Sequence, residues 1–464
     1  MLVATGSFSP NFRPVSNLSF ISKLTEKASV NQLTDHMNQN HPLPSHQSAY
    51  RPFHSTETAL LKVQSDILMS MDNQKVTLLV MLDLSAAFDT VDHGILLDTM
   101  KTKIGVTGTA LKWFMSYLAN RTQQVRINGV SSKKFNLETG VPQGSCLGPI
   151  LFTIYAADLF EIIEKHLPDA HGYADDHQAY ISFRPLPASN QIESVRAMES
   201  CLTDLRRWMI TNQLMVNDTK TEFMIIGSQQ QLERVRISSI QVGDAEVTPV
   251  TSVRNLGVIF DSNLKMDQHI IKACKSAYYH LHNIRRIRNY LTEEATKTVI
   301  HAFVTSQIDY CNSLMNGLPA HLIKKLQRVQ NTAARLVYKL RKYDHISPAL
   351  IALHWLPVKY RQEFKTLLLV YRGLHGMAPD YIASLLQRCT SSRYSLRSNS
   401  ACVLMVPKFH CDTFGKRAFA VAGPMSWNSL PQSIRLCSDF DAFKRTLKTH
   451  LFTQFINECN GCSA

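Results

Sequence analysis

Two adjacent carboxylates, Asp175 and Asp176, are the residues whose type and spacing most directly indicate chemistry. Apolar and aromatic residues flank them, a pattern that predicts two short strands joined by a turn that carries both acids. Ionised carboxylates packed side by side repel each other unless a cation neutralises them. Oxygen ligands on a turn favour a hard divalent ion such as Mg²⁺, whereas a solvated acidic turn is the simpler alternative for the pair considered alone.

A third carboxylate, Asp83, follows the continuous aliphatic run of residues 76–82. Such a run predicts a strand that is buried on both faces, and an acid at its end is held rigidly, as a metal ligand must be. The small residues at positions 85–87 leave room beside the acid, and Phe88 then provides a flat apolar wall. We expect Asp83 and the acidic pair to converge on one metal site.

A loop that is rich in glycine and proline occupies residues 140–149, directly before a helix predicted over residues 150–165. Glycine lets the backbone approach a ligand closely, and the start of a helix favours an anion. Many loops of this composition only turn the chain, so this loop indicates a site only together with the acids.

The remaining pattern predicts alternating helices and strands, followed by a helical second half that begins near residue 269. The predicted helices cover residues 18–33, 54–71, 110–118 and 192–208, and the predicted strands cover residues 123–127, 134–137, 223–226, 235–242 and 253–260. Ser55 or Thr56 can cap the second helix, and Asn128-Gly129 is a hairpin turn signal. Residues 390–400 have the composition of a linker.

The net charge of +14 is unevenly distributed along the chain. Residues 1–270 hold 23 lysines and arginines against 26 acidic residues, whereas residues 271–464 hold 27 against 10. Clustered carboxylates followed by a basic half indicate metal chemistry beside a surface that binds a polyanion, although a merely basic, solvated surface gives the same count.

Cysteine usage and hydropathy predict a soluble, intracellular protein in a reducing compartment. The ten cysteines show no regular spacing that would indicate a disulfide framework. Cys459 and Cys462 have the spacing of zinc ligands, but no second pair follows, so their role stays open. No apolar run reaches the roughly 18 residues of a membrane helix, and nothing in the sequence indicates a membrane or protein partner.

Four blocks, at residues 82–89, 140–145, 173–176 and 255–261, together resemble reverse transcriptases of non-long-terminal-repeat (LINE-type) retrotransposons of the jockey and chicken-repeat type. The resemblance extends from about residue 11 to residue 452. It implies an α+β fold, the right-hand polymerase palm, in which an antiparallel sheet packs on helices. We expect partial fingers at 1–75, the palm at 76–270, a helical thumb at 271–345 and a mostly helical, basic C-terminal region at 346–464.

The resemblance implies an RNA-directed DNA polymerase that transfers nucleotides to a primer 3′-hydroxyl with two Mg²⁺ ions, or Mn²⁺ in their place. The implied partners are an RNA template, a DNA primer, the RNA–DNA hybrid and deoxynucleoside triphosphates. The implied location is the nucleus or the cytoplasm, with the element RNA. Asp83 and Asp175 would hold the ions, and Asp176 would support the site. Phe88 matches the aromatic residue that excludes a 2′-hydroxyl and so selects deoxynucleotides.

The resemblance also implies roles for residues outside the acidic blocks. Gln143 and Gly144 match the loop that contacts the incoming nucleotide and the template. Leu256 and Gly257 lie in the block that resembles the primer-gripping hairpin. Lys220 lies where the family has a lysine that protonates pyrophosphate, although a solvated turn lysine explains it equally well, and Arg13 resembles an arginine near the nucleotide triphosphate.

The chain begins close to the first matching residues, so we expect the preceding fingers segment to be missing or replaced by residues 1–10, with no endonuclease-like region before it. We therefore expect a truncated element copy or a gene model of one. Fingers that cannot close on the nucleotide would slow or abolish synthesis. The alternative is therefore a catalytically inactive or domesticated nucleic-acid-binding relic of such an element.

Overall fold

The structure is a computed structural model that describes residues 16–40, 42–82, 84–85, 87–216, 220–389 and 402–461. The first half contains α1 (Phe20–Asn40), α2 (Thr56–Asp72), β1 (Val76–Leu82), β2 (Leu84–Ser85), α3 (His93–Thr102), α4 (Gly108–Leu118), β3 (Thr122–Gln123), β4 (Arg126–Ile127), β5 (Val130–Ser131), β6 (Phe135–Asn136), α5 (Gly148–Tyr155), α6 (Leu159–His166), β7 (Asp169–Tyr173), β8 (Asp176–Phe183), α7 (Ala188–Thr211), β9 (Met215–Val216), β10 (Glu222–Ile226), α8 (Gln229–Leu232), β11 (Ile240–Val242), β12 (Ala245–Val247), β13 (Ser252–Asn255) and β14 (Val258–Asp261).

The second half of the described chain is helical, as its sequence predicts. It contains α9 (Asp267–Ile287), α10 (Glu293–Ile300), α11 (Ser306–Asp309), α12 (Ala320–Tyr338), α13 (Ser347–Ala352), α14 (Val358–Leu374), α15 (Asp380–Ala383), α16 (Phe419–Asn428), α17 (Gln432–Arg435) and α18 (Phe440–Gly461). A π-helical turn at His301–Thr305 joins α10 to α11. The expected linker at 390–400 lies outside the described residues.

A four-stranded antiparallel sheet in the order β10-β1-β8-β7 is the centre of the first half. Successive residues of β1 face opposite sides of this sheet. Leu79 enters the apolar core that contains α2, whereas Leu78 and Val80 enter the core that contains α7. The predicted burial of this strand on both faces is confirmed, and so is the α+β architecture with an antiparallel palm sheet.

Helix α2 begins at the predicted cap. The Ser55 hydroxyl accepts a hydrogen bond from the backbone N–H of Thr58, and the Thr58 hydroxyl accepts one from the N–H of Ser55. This reciprocal cap satisfies two backbone donors that a helix start otherwise leaves unpaired. The helix is buried along most of its length, because the sheet covers one side and the C-terminal helices cover another.

The C-terminal helices pack directly onto α2 and the central sheet. One apolar core includes residues of α2, β8 and β10 together with helices α9 to α18. At the end of α2, the Asp72 carboxylate accepts hydrogen bonds from the backbone N–H groups of His410, at 2.8 Å, and Cys411, at 2.7 Å. Nearby, the Arg417 guanidinium donates to the Leu264 carbonyl oxygen at 2.9 Å. Apolar packing and polar contacts therefore both join the two parts.

The single helix predicted over residues 150–165 is wrong, because α5 ends at Tyr155 and α6 begins at Leu159. Helix α5 is buried nearly throughout and packs against α3, whereas α6 buries one face and packs against α7. The chain turns at residues 156–158, between these two packing environments.

The strand predicted over residues 235–242 is confirmed only at its end, as β11. Before β11, the backbone is held by a side chain rather than by a neighbouring strand. The Gln191 carbonyl oxygen accepts from the Arg236 N–H at 2.8 Å, and its amide nitrogen donates to the Arg234 carbonyl at 3.1 Å. Because these backbone groups already have partners, they do not join a ladder.

Within the described part of the chain, no helix is both long and apolar enough to span a bilayer. Cys459 lies in α18, and Cys462 lies outside the described residues. Across those same described residues, no three His, Cys, Asp or Glu side chains are grouped as a metal site would require.

Candidate active site

The two adjacent acids lie on a tight hairpin turn, as predicted. Tyr173, the last residue of β7, pairs with Asp176, the first residue of β8, so Ala174 and Asp175 form the two-residue connection. Ala174 has a φ of +60°, a left-handed conformation that costs an L-residue about 1–2 kcal/mol. Two-residue hairpins require such a conformation, and surrounding contacts must compensate for its cost.

Gln47 provides that compensation, although nothing in the sequence analysis pointed to it. Its side-chain carbonyl oxygen accepts from the Ala174 N–H at 3.1 Å, and its amide nitrogen lies 3.5 Å from the Ala174 carbonyl oxygen. The backbone on either side of Gln47 pairs with β7, because Gly172 donates to the His46 carbonyl and Ser48 donates to the Gly172 carbonyl, each at 2.9 Å. The segment 46–48 therefore supports the acidic turn from behind.

The two acids differ in exposure. Asp175 is half-buried, whereas Asp176 is exposed. Burial and the nearby negative charge of Asp175 raise the pKa of Tyr50, which places this phenol close to the acid. His177 is fully buried, and burial lowers its pKa, so its ring is neutral although it directly follows two acids. Its Nδ1 lies 3.1 Å from the Asp175 carbonyl oxygen.

Asp83 lies outside the described residues, but its neighbours on both sides are described. Leu82 pairs with His177 of β8, and Leu84 pairs with Val216 of β9. The end of β1 therefore lies beside the strand that begins with Asp176.

Phe88 lies close to the glycine-rich loop. Its ring centroid is 5.1 Å from that of Phe152 in α5, and its backbone carbonyl accepts from the Val141 N–H at 2.8 Å. Gly140 has a φ of +90°, and a Cβ at this position would lie 2.9 Å from the Asp89 carbonyl oxygen. Only glycine permits the loop to approach the segment after β2 this closely.

The loop residues expected to contact nucleotide and template are Gln143 and Gly144. The Gln143 amide donates to both carboxylate oxygens of Asp89, at 3.0 and 2.9 Å. Gly144 is exposed with a φ of +94°. The structure thus brings Phe88, Gln143 and Gly144 to one region, with the Gln143 amide bound to an acid of the chain itself.

Lys220 is exposed and lies just before β10, whose Glu222 pairs with Met81 near the end of β1. The Lys220 backbone therefore lies at the same end of the sheet as the last residues of β1. Arg13 lies outside the described residues.

Residues 253–260, predicted as one strand-like run that overlaps a primer-gripping hairpin, form the hairpin β13–β14. Leu256 and Gly257 make its turn, with φ values of +44° and +88°. The Tyr310 hydroxyl donates to the Leu256 carbonyl at 2.7 Å, and its ring would lie 3.1 Å from a Cβ at Gly257. Next to the turn, the side-chain amide of Asn255 donates a hydrogen bond to the side-chain oxygen of Gln178, a residue of β8. This contact links the hairpin to the strand that follows the acids.

The basic half presents charge along α9, where Lys272, Lys275, Arg285 and Arg286 are exposed. Arg288, which the sequence groups with the last two, is buried instead. Its guanidinium donates to the carbonyl oxygens of Leu336, at 2.9 Å, and Val337, at 2.6 Å, at the end of α12. Arg288 therefore completes a helix end, and it is not part of the exposed charge.

Comparison with known proteins places these features in a family. The family model described as reverse transcriptase (RNA-dependent DNA polymerase) matches residues 6–260. A probable RNA-directed DNA polymerase from transposon BS of Drosophila melanogaster is 29% identical over 60% of this chain and 30% of its own length. The corresponding polymerase from transposon X-element of the same species is 26% identical over 70% of this chain and 35% of its own length.

The RNA-directed DNA polymerase from mobile element jockey of Drosophila melanogaster is 25% identical over 56% of this chain and 28% of its own length. The chain thus spans about a third of the length of the curated relatives it matches. Among solved structures, apo telomerase from Candida tropicalis matches with 11% identity and a TM-score of 0.38, over 78% of this chain and 55% of its own.

Proposed function

Because this chain belongs to the reverse transcriptase (RNA-dependent DNA polymerase) family, we propose that it is an RNA-directed DNA polymerase of a non-long-terminal-repeat retrotransposon. It would extend a primer 3′-hydroxyl along an RNA template and release pyrophosphate. One observation carries this proposal: β1 and β8 are paired up to Leu82 and His177, so the strand that precedes Asp83 ends beside the turn of Asp175 and Asp176.

The donor atoms at this turn fit the divalent metal ions that reverse transcriptases use. Asp175 and Asp176 offer carboxylate oxygens, which suit a hard cation. In our proposal Asp83 and Asp175 hold two Mg²⁺ ions, with Mn²⁺ as an alternative, and Asp176 supports the site. When bound, the metals would lower the pKa of the primer hydroxyl and stabilise negative charge on the nucleotide phosphates.

The other residues of the site would orient the nucleotide. We propose that the half-buried Phe88 ring excludes a 2′-hydroxyl and that Gln143 and Gly144 contact the incoming nucleotide and the template. Gln143 would have to exchange its hydrogen bonds to Asp89 for this contact, which makes it a residue that changes partner on binding. Lys220 would deliver a proton to pyrophosphate.

The primer and the hybrid would lie against the β13–β14 hairpin and helix α9. We propose that the turn of Leu256 and Gly257 grips the DNA primer, and that the exposed cations of α9 follow the backbone of the RNA–DNA hybrid. Arg13 would approach the triphosphate of the deoxynucleotide. The division into fingers at 1–75, palm at 76–270, thumb at 271–345 and C-terminal region at 346–464 is part of this proposal, as is action in the nucleus or cytoplasm with the element RNA.

Primer extension on an RNA template tests the proposal. We expect incorporation of deoxynucleotides by the unaltered chain and background incorporation by Asp175→Asn. Asp244→Asn is the matched control, because Asp244 is an exposed acid that follows Gly243 on the turn between β11 and β12. Equal incorporation by the unaltered chain and Asp175→Asn would eliminate the polymerase proposal and leave a relic that binds nucleic acid.

A further inference from the structure

A chain of buried polar contacts joins the C-terminal region to the strand that carries the acidic turn. His171 lies in β7, four residues before Asp175, and its Nε2 is 2.8 Å from the Ser48 hydroxyl oxygen. The same Ser48 oxygen is 2.8 Å from the hydroxyl of Tyr381 in α15. The Tyr381 hydroxyl in turn lies 3.0 Å from the Thr58 hydroxyl of α2.

These groups are removed from water, so each contact matters. His171 and Ser48 are 0% and 1% exposed, and Tyr381 is 5% exposed. Burial, followed by the positive charge of His46, lowers the pKa of His171 to about 3, so the ring is neutral. A buried hydroxyl that loses its partner costs more than the lost hydrogen bond is worth, because no water replaces it.

Tyr381 also packs against β7 through its ring. Its centroid is 4.8 Å from that of His171, at an interplanar angle of 86°. On its other side, the ring of His54 lies 5.6 Å away at 74°. Edge-to-face contacts of this kind hold an aromatic ring in one orientation. The Tyr381 side chain is therefore wedged between the start of α2 and the strand that leads to the acids.

Ser48 connects this tyrosine to the geometry of the turn. Its backbone N–H donates to the Gly172 carbonyl, and the adjacent Gln47 binds both backbone groups of Ala174. Ala174 is the residue in the left-handed conformation that directs Asp175. A shift of Ser48 would thus be transmitted to the turn through two neighbouring residues and not through a flexible loop.

We propose that Tyr381 is a positioning residue for the acidic turn, so that the C-terminal region completes the polymerase site itself. The catalytic part of this inference rests on the proposed function. It assigns the region 346–464 a second role besides the nucleic-acid binding that its charge predicts. The link between Tyr381, Ser48 and His171 is a property of the fold and is measurable without any reaction.

The test compares two buried tyrosines of the same region in the full chain. Tyr381→Phe removes the hydroxyl that reaches Ser48 and Thr58. Tyr371→Phe is the matched control: Tyr371 is fully buried in α14 and donates to the Ser438 carbonyl at 2.7 Å, away from the palm. Both variants lose one buried hydroxyl, so we expect similar decreases in Tm.

Hydrogen–deuterium exchange is the first readout. We expect amide exchange in residues 169–178 to become faster by about five-fold or more in Tyr381→Phe and to stay unchanged in Tyr371→Phe. Ser48→Ala should produce the same faster exchange in residues 169–178. The double variant with Tyr381→Phe should exchange little faster than either single variant, since both substitutions break the same Ser48–Tyr381 contact. Equal exchange in the two tyrosine variants would overturn the proposal.

Steady-state primer extension is the second readout. Tyr381→Phe should lower kcat by about five-fold while leaving the KM for the deoxynucleotide within about two-fold, because a displaced acid affects the reacting atoms more than nucleotide binding. A decrease in kcat that is equal in Tyr371→Phe would indicate a purely structural role and would refute the positioning role. If the unaltered chain incorporates no nucleotide, the proposed function fails, and the exchange comparison still decides the link.

Discussion

Asn255 and Gln178 are joined by a buried hydrogen bond of 2.5 Å between their side-chain amides. Asn255 lies in the hairpin proposed to grip the primer, and Gln178 lies two residues after Asp176. The two side chains are 0% and 2% exposed. The hairpin and the acidic strand are therefore joined by a buried hydrogen bond between two side chains.

Asn255→Leu should destabilise the protein, because it leaves the buried Gln178 carbonyl without its donor. We expect a loss of about 1–3 kcal/mol in the free energy of unfolding, measured by urea denaturation. Adding Gln178→Leu should recover part of this loss, since both polar groups are then removed. Asn289→Leu, at an exposed position, is the control. Additive losses in the double variant would show that the two amides do not act as a pair.

Gly140→Ala should lower the free energy of unfolding by more than Gly376→Ala does, although both glycines have a positive φ. The new Cβ would lie 2.9 Å from the Asp89 carbonyl, whereas at Gly376, with a φ of +68°, nothing lies within 4 Å. Gly376→Ala should cost about 1 kcal/mol from its left-handed backbone alone, and Gly140→Ala about 1–2 kcal/mol more. Urea midpoints of both variants measure the difference. Equal losses would show that the loop shifts away from Asp89 without penalty.

Phe88→Ala should admit ribonucleotides, because the ring that would block a 2′-hydroxyl is removed. The measurement is the ratio of kcat/KM for a deoxynucleotide to that for the matching ribonucleotide, which should fall by about ten-fold or more. Phe88→Tyr keeps the ring and should keep the ratio. Unchanged discrimination in Phe88→Ala would refute the role of Phe88 as a wall.

Hybrid binding should weaken steeply with salt and depend mainly on residues 271–464. Replacing the exposed Arg285 and Arg286 with glutamine should reduce the slope of log K against log salt by roughly one to two, at unchanged Tm. Arg288→Gln should instead lower Tm and leave the slope unchanged, because Arg288 binds carbonyl groups at the end of α12. A slope that responds to Arg288 as strongly as to the exposed pair would contradict this assignment.

Stability should decrease as the pH falls from about 6.5 towards 3. Burial lowers the pKa of His171 to about 3 from its ordinary value of 6.5, so in this window the unfolded chain binds a proton that the folded chain does not. The stabilisation from the neutral ring is complete above pH 6.5 and is lost progressively as the pH approaches the folded pKa. Unfolding free energies of His171→Gln should show a flatter pH dependence, whereas the exposed His282→Gln should follow the unaltered chain. Identical curves for all three would exclude His171 as the source.

The local elements follow from periodicity and capping. The aliphatic run of β1, the Ser55 cap of α2 and the two-residue acidic hairpin all appear where the pattern predicts them, because each depends on neighbours within a few positions. The helix over 150–165 fails for the opposite reason. Its two parts pack against different helices, α3 and α7, and local propensity does not reveal such distant packing partners.

The sequence alone determined the family and the α+β class, and it predicts which acids form the site, because four short blocks carry all three. Only the tertiary structure decided which residues support those acids: Gln47 behind Ala174, Asn255 on Gln178, and Tyr381 of the C-terminal region on Ser48. It also showed that Arg288, which follows two exposed arginines closely in the sequence, is buried and binds carbonyl groups at the end of α12. Each of these contacts joins residues that lie 48 to 333 positions apart, and a polar side chain carries no local signal of the distant partner that will satisfy it when both are buried.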